Sequence, residues 1–112
     1  MKQLGGLDLP ALRAASGAAQ PPLLLDVREP WETAIAAIHV EGLRTLQIPM
    51  GQIPGRLGEL DPAQPVVCIC HHGVRSAQVV AFLERQGFAA AYNLAGGIDA
   101  WSEQVDPGVP RY

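Results

Sequence analysis

Two short apolar runs, Leu23-Leu24-Leu25-Asp26-Val27 and Val66-Val67-Cys68-Ile69-Cys70, narrow the folds open to this chain more than any other feature. Neither alternates apolar with polar residues, as a strand with one wet face would, so each reads as a strand buried on both faces. The second is rich in β-branched residues and is introduced by Pro65. Strands of this kind need helices above and below, and the intervening segments carry helical signals. Asp8 is placed to cap a helix from Leu9 to about Ala15 that Gly17 ends, and Pro30 suits the first turn of a helix running to about Ala37. Ile53, Leu57 and Leu60 keep a helical period from Gln52 to Leu60, diluted by Pro54, Gly55 and Gly58. A helix from Ser76 to about Gln86 presents Val79, Val80, Phe82 and Leu83 before Gly87, and another runs from Ile98 to about Gln104. Thr45 to Ile48, closed by Pro49, and Ala90 to Leu94 complete the strands, and Gly96-Gly97 serves a tight strand-to-helix turn. Alternation with short loops predicts an α/β fold, a parallel sheet covered by helices on both faces, with its site at the carboxyl ends of the strands.

A chain of 112 residues is expected to form one domain. Its core should span about residues 20 to 104, with 105–112 as an irregular tail on the surface, and a monomer is the expected state. The net charge of −3 provides no field to draw nucleic acid or an anionic membrane. Seven of the eight basic residues are scattered arginines, so an anionic ligand should be small. The apolar runs fall well short of the roughly 20 residues that cross a bilayer. Met1-Lys2-Gln3-Leu4-Gly5-Gly6 has no apolar stretch of signal-peptide length, which points to a cytoplasmic chain.

Cys68 and Cys70 lie two apart on one strand, hence on one face, with Cα atoms roughly 7 Å apart, at the limit of disulfide geometry. Both are expected to be reduced. Cys70 ends a buried strand and precedes His71-His72-Gly73-Val74-Arg75-Ser76, where a helix begins. Backbone N–H groups of such a loop, together with a helix N-terminus, favour a thiolate and make a nucleophile. Cys68 reads as a core residue. His71, His72 and Arg75 add local positive potential. Cysteine-dependent phosphatases and arsenate reductases hold one residue more between cysteine and arginine; here Ser76 stands at that position, and a tighter ring suits a single sulfur atom better than a phosphoryl group.

Three segments, Leu23-Leu-Leu-Asp-Val-Arg-Glu-Pro-Trp-Glu32, Cys70-His-His-Gly-Val-Arg-Ser76 and Tyr92-Asn-Leu-Ala-Gly-Gly-Ile-Asp-Ala-Trp101, together resemble a single-domain rhodanese. The resemblance implies a five-stranded, mostly parallel sheet flanked by helices. It also implies sulfurtransferase activity through a Cys70 persulfide, moving sulfur from a donor such as thiosulfate to cyanide or a cellular thiol, with no cofactor or metal. Three departures stand out. Many relatives that use thiosulfate have arginine directly after the cysteine, where this chain has His71, a weaker and titratable cation. The family's His-Ile-x-Gly-Ala-x-Asn-Ile-Pro segment corresponds to His39 through Pro49 with two extra residues, and Gly5-Gly6-Leu7 blurs the first strand.

The remaining candidates divide between supporting and contacting roles. Arg75 either bonds loop carbonyls or pairs with Asp26 or Glu29, or touches substrate, and both roles fit five guanidinium donors. Asp26, Arg28 and Glu29, at the end of the neighbouring strand, are expected to hold the loop in place. His71 and His72 are either solvated or orient an anionic donor. His39 is read as structural, and Trp31 and Trp101 as packing residues. A zinc site built from Cys68, Cys70, His71 and His72 is disfavoured, because a strand followed by a tight loop does not wrap a tetrahedral ion. Two alternatives remain, a non-catalytic rhodanese-like binding or sulfur-carrier module and a cysteine phosphatase or arsenate reductase.

Overall fold

Each buried run forms a strand, and side-chain alternation along the strands divides the interior into two layers. A computed structural model describes residues 1–17 and 20–112. In chain order the elements are β1 (Lys2–Leu4), α1 (Leu9–Ser16), β2 (Leu23–Asp26), α2 (Pro30–Ile35), β3 (Thr45–Gln47), β4 (Val66–Ile69), α3 (Val74–Arg85), β5 (Ala91–Leu94) and α4 (Gly97–Gln104). The five strands lie in the order β1-β5-β4-β2-β3, and every pairing is parallel. Leu23, Leu25, Val66, Cys68 and Cys70 point into the layer closed by Val79, Val80 and Leu83 of α3. Leu24, Val67 and Ile69 point the other way, against Leu9 of α1 and Ile98 and Trp101 of α4. All four residues of β2 and all four of β4 are buried, as a strand covered on both faces requires.

Several elements depart from the sequence-based expectation. A first strand forms ahead of Gly5-Gly6-Leu7 as a three-residue edge that pairs with β5, so the sheet reaches outside the expected core of 20–104. The carboxylate of Asp8 accepts from the Gly5 N–H at 3.2 Å, within a preceding 3-10 turn, and does not cap α1. The helix expected over Gln52–Leu60 is replaced by two 3-10 segments, Met50–Gln52 and Pro54–Glu59, because Pro54 and two glycines deny a continuous α ladder. Residues 105–112 are irregular, but they do not simply lie on the surface. Val109 is buried against the α4 layer, and Tyr112 packs beside it.

The layers depend on complete filling at β2. Leu25 is 0% exposed, and Leu25→Ala should destabilise the fold by about 2–5 kcal/mol in urea denaturation, through lost apolar transfer and the cavity left behind.

Candidate active site

The central strand β4 delivers Cys70 to its carboxyl end, one residue past Ile69, and the chain turns at once into α3. Gly73 makes that turn in the left-handed region, with φ +98°. Its N–H donates to Cys70 Sγ at 3.0 Å, and the Ser76 hydroxyl stands 3.2 Å from the same sulfur. Because α3 begins at Val74, two residues earlier than the sequence suggested, Ser76 lies in its first turn and turns its hydroxyl inward. The loop's other carbonyls are held from behind. Ile98 N–H donates to the Cys70 carbonyl at 2.9 Å and Asp99 N–H to the His71 carbonyl at 3.1 Å. In planar trans peptides this turns the N–H groups of His71 and His72 to the opposite side. Such an approach leaves no space at Gly97, whose φ is +62° and where an added Cβ would stand 2.4 Å from both carbonyl oxygens.

Cys70 is 1% exposed, and its sulfur is therefore nearly sealed. Both cysteines are free thiols. Burial pushes the Cys68 thiol far above the usual range, as befits a core residue. Beneath the loop, Asn93 of β5 gathers the polar atoms. It accepts a short hydrogen bond from the Ser76 hydroxyl and donates to the Gly73 carbonyl at 3.0 Å and to Gln3 Oε1 at 3.1 Å. The only hint of this role in the sequence is an asparagine inside a strand, where that residue type is depleted.

Arg75 pairs with neither Asp26 nor Glu29. Its guanidinium grips Glu32 at 2.6 and 2.7 Å, a bidentate pair that also takes the Tyr112 hydroxyl at 2.9 Å and the Glu29 N–H at 2.9 Å. Glu32 is buried, and the Arg75 hydrogen bonds hold its carboxyl down at about 2 from the ordinary 4.5. The sequence carried a partial sign of this residue in Glu29-Pro30-Trp31-Glu32, since an acidic side chain three residues into a helix reaches back to the residue that caps it. Asp26 and Arg28 form a separate buried pair. Arg28 reaches Asp26 at 2.7 Å, the Ala36 carbonyl at 2.7 Å and the Tyr112 hydroxyl at 3.0 Å, bracing the end of β2. Glu29 is exposed and takes part through its backbone.

His71 is sandwiched between the rings of His72 and Tyr112, each centroid 4.0 Å away. Burial lowers its pKa, and His72 lowers it further, so at neutral pH the ring is uncharged rather than the cation the sequence suggested. His72 is exposed, with Nδ1 3.9 Å from Asp99. Trp31 does not pack as expected. It is 62% exposed and meets Tyr112 edge-on at 6.2 Å, whereas Trp101 is buried. His39 is exposed and lines a cavity of about 460 Å³ beside α1 and α4, to which residues 70–76 do not contribute.

Because the Glu32 carboxyl is depressed, the stability it contributes is full above the ordinary value of 4.5 and is lost as pH falls toward 2. Urea midpoints of Glu32→Gln should therefore fall less than those of the parent between pH 5 and 2 (~3 units). Gly97→Ala should destabilise by about 1–3 kcal/mol in urea denaturation, since it combines a left-handed backbone with a carbonyl clash.

A family model described as "Rhodanese-like domain" matches residues 9–104. A "Sulfurtransferase" of Allochromatium vinosum is 38% identical over 101 residues, covering 90% of this chain and 91% of that protein. The Arabidopsis thaliana "Rhodanese-like/PpiC domain-containing protein 12, chloroplastic" is 40% identical over 93 residues, 80% of this chain, and the match spans only 30% of that longer protein. Among solved structures, a rhodanese-like domain protein from Staphylococcus aureus superposes with a TM-score of 0.75 at 31% identity, covering 100% of this chain and 99% of that one. The chain belongs to the rhodanese-like domain family.

Proposed function

We propose that this protein is a sulfurtransferase that carries sulfane sulfur on Cys70. The observation that carries the reading is the Gly73 N–H donating at 3.0 Å to one nearly sealed sulfur, with the Ser76 hydroxyl oxygen 3.2 Å from it. Donors fixed in advance stabilise negative charge on sulfur without reorganisation, whether that charge sits on a thiolate or on the outer atom of a persulfide. Cys70 thiolate attacks the outer sulfur of thiosulfate, the S–S bond breaks, sulfite leaves with the bonding pair, and a Cys70 persulfide remains. Cyanide or a thiol then takes the outer sulfur and restores the thiolate. Family membership and the sulfurtransferase names of relatives support this chemistry. The short loop between Cys70 and Arg75 favours it over phosphoryl transfer.

Incubation with thiosulfate followed by intact mass measurement should show one added sulfur atom that cyanide removes, and Cys70→Ala should show none. If neither thiosulfate nor an organic persulfide adds sulfur to the parent protein, the assignment fails. Ser76→Ala should slow sulfur transfer by about tenfold while Cys70 still accepts sulfur, because it removes both the hydroxyl beside the sulfur and the donor that Asn93 Oδ1 accepts from.

A further inference from the structure

Each arginine near the site is already matched by a carboxylate. Arg28 is buried against Asp26 at 2.7 Å. Arg75, in the first turn of α3, is held by both oxygens of Glu32. Arg111 is bound by both oxygens of Asp99 at 2.9 and 3.1 Å, and the same carboxylate faces His72. His71, in the position next to the cysteine, is neutral at neutral pH and stacked face to face with Tyr112. Exposed apolar side chains stand beside two of these pairs. Trp31 and Val74, the chain neighbours of Glu32 and Arg75, are 62% and 70% exposed, and Ile35 of α2 is 47% exposed.

A thiosulfate dianion gains little from such a rim, because a guanidinium neutralised by a bidentate carboxylate offers little net field to a second anion. The overall charge of −3 adds repulsion. An organic persulfide, R–S–SH, needs no compensation for a sulfonate and can lay an uncharged carbon skeleton against Trp31 and Val74. We infer that the donor class of this site is an organic persulfide with an uncharged skeleton, in preference to thiosulfate. The inference rests on the sulfurtransferase reading above and sharpens its first step. Cys70 thiolate attacks the terminal sulfur of R–S–SH, the donor S–S bond breaks, R–S⁻ departs with the bonding pair, and Cys70–S–SH remains. No net oxidation or reduction occurs, and no co-reactant is required.

Three features of the donor kinetics test the inference, with the persulfide of 2-mercaptoethanol and thiosulfate as probes. In the parent protein, kcat/KM for the persulfide should exceed that for thiosulfate by about tenfold or more. Raising ionic strength from about 0.01 to 0.5 M should leave thiosulfate kcat/KM level or increase it, because no unmatched cation draws the anion in. Glu32→Gln, which frees Arg75, should raise thiosulfate kcat/KM by about tenfold while moving the persulfide value less than about twofold. Trp31→Ala, at an exposed position, provides a variant that does not burden the fold; it should lower persulfide kcat/KM alone. Thiosulfate kcat/KM that equals or exceeds the persulfide value, or that falls steeply with salt, would overturn the donor class. In that outcome sulfur still adds to Cys70, so the function stands; sulfur addition from neither probe would overturn both.

Discussion

The site depends on two hydrogen bonds that never touch the sulfur, those from the first amides of α4 to the carbonyls of Cys70 and His71. A loop that follows a buried strand must place every carbonyl somewhere, and carbonyls turned toward Sγ would repel a thiolate. Here the orphan N–H groups of one helix satisfy the loop's acceptors, while the N-terminus of another helix faces the sulfur. Two helix starts thus divide a single loop between them, one holding its oxygens and the other facing its thiol. The arrangement needs the backbones of α4 and the loop to meet without a Cβ between them. That requirement, more than any turn preference, explains Gly97.

A second centre of organisation is the Glu32 carboxylate. It joins α2, the first turn of α3 and the tail through Arg75, Tyr112 and the Glu29 N–H, so all four lone-pair directions of a buried anion are engaged. Desolvating a carboxylate is costly unless it is so surrounded. Complete engagement has an electrostatic corollary, since an arginine that satisfies Glu32 is no longer a free cation for a visiting anion. The same contact therefore ties α3 to α2 and to the tail.

How much of this the sequence disclosed follows from the range of each interaction. Leu23–Asp26 and Val66–Ile69 were readable because both faces are covered and apolar residues run nearly unbroken. The three residues of β1, only one of them buried, carry no comparable pattern. Cys70, Gly73 and Ser76 were legible because strand, turn and helix adjoin in the chain. The partner of Arg75 was not, because Glu32 lies 43 positions away and competed with Asp26 and Glu29 in the same stretch of chain. Trp31 was misread for a related reason. An aromatic ring in a one-sided six-residue helix reads as packing, yet the core-facing position is occupied by Glu32. Tyr112, outside any periodic element, had no signal that would place it on His71.

The polar network beneath the loop is drawn from far-apart points of the chain, with Gln3 reaching Asn93 across 90 positions. Long-range contacts of this kind form late, after the entropy of closing large loops has been met. The Gly73 N–H, three positions from Cys70, comes with the local turn, whereas the Gln3–Asn93 bond beneath the loop needs β1 to pair with β5. The loop around Cys70 is therefore braced from below only once the sheet is complete from edge to edge.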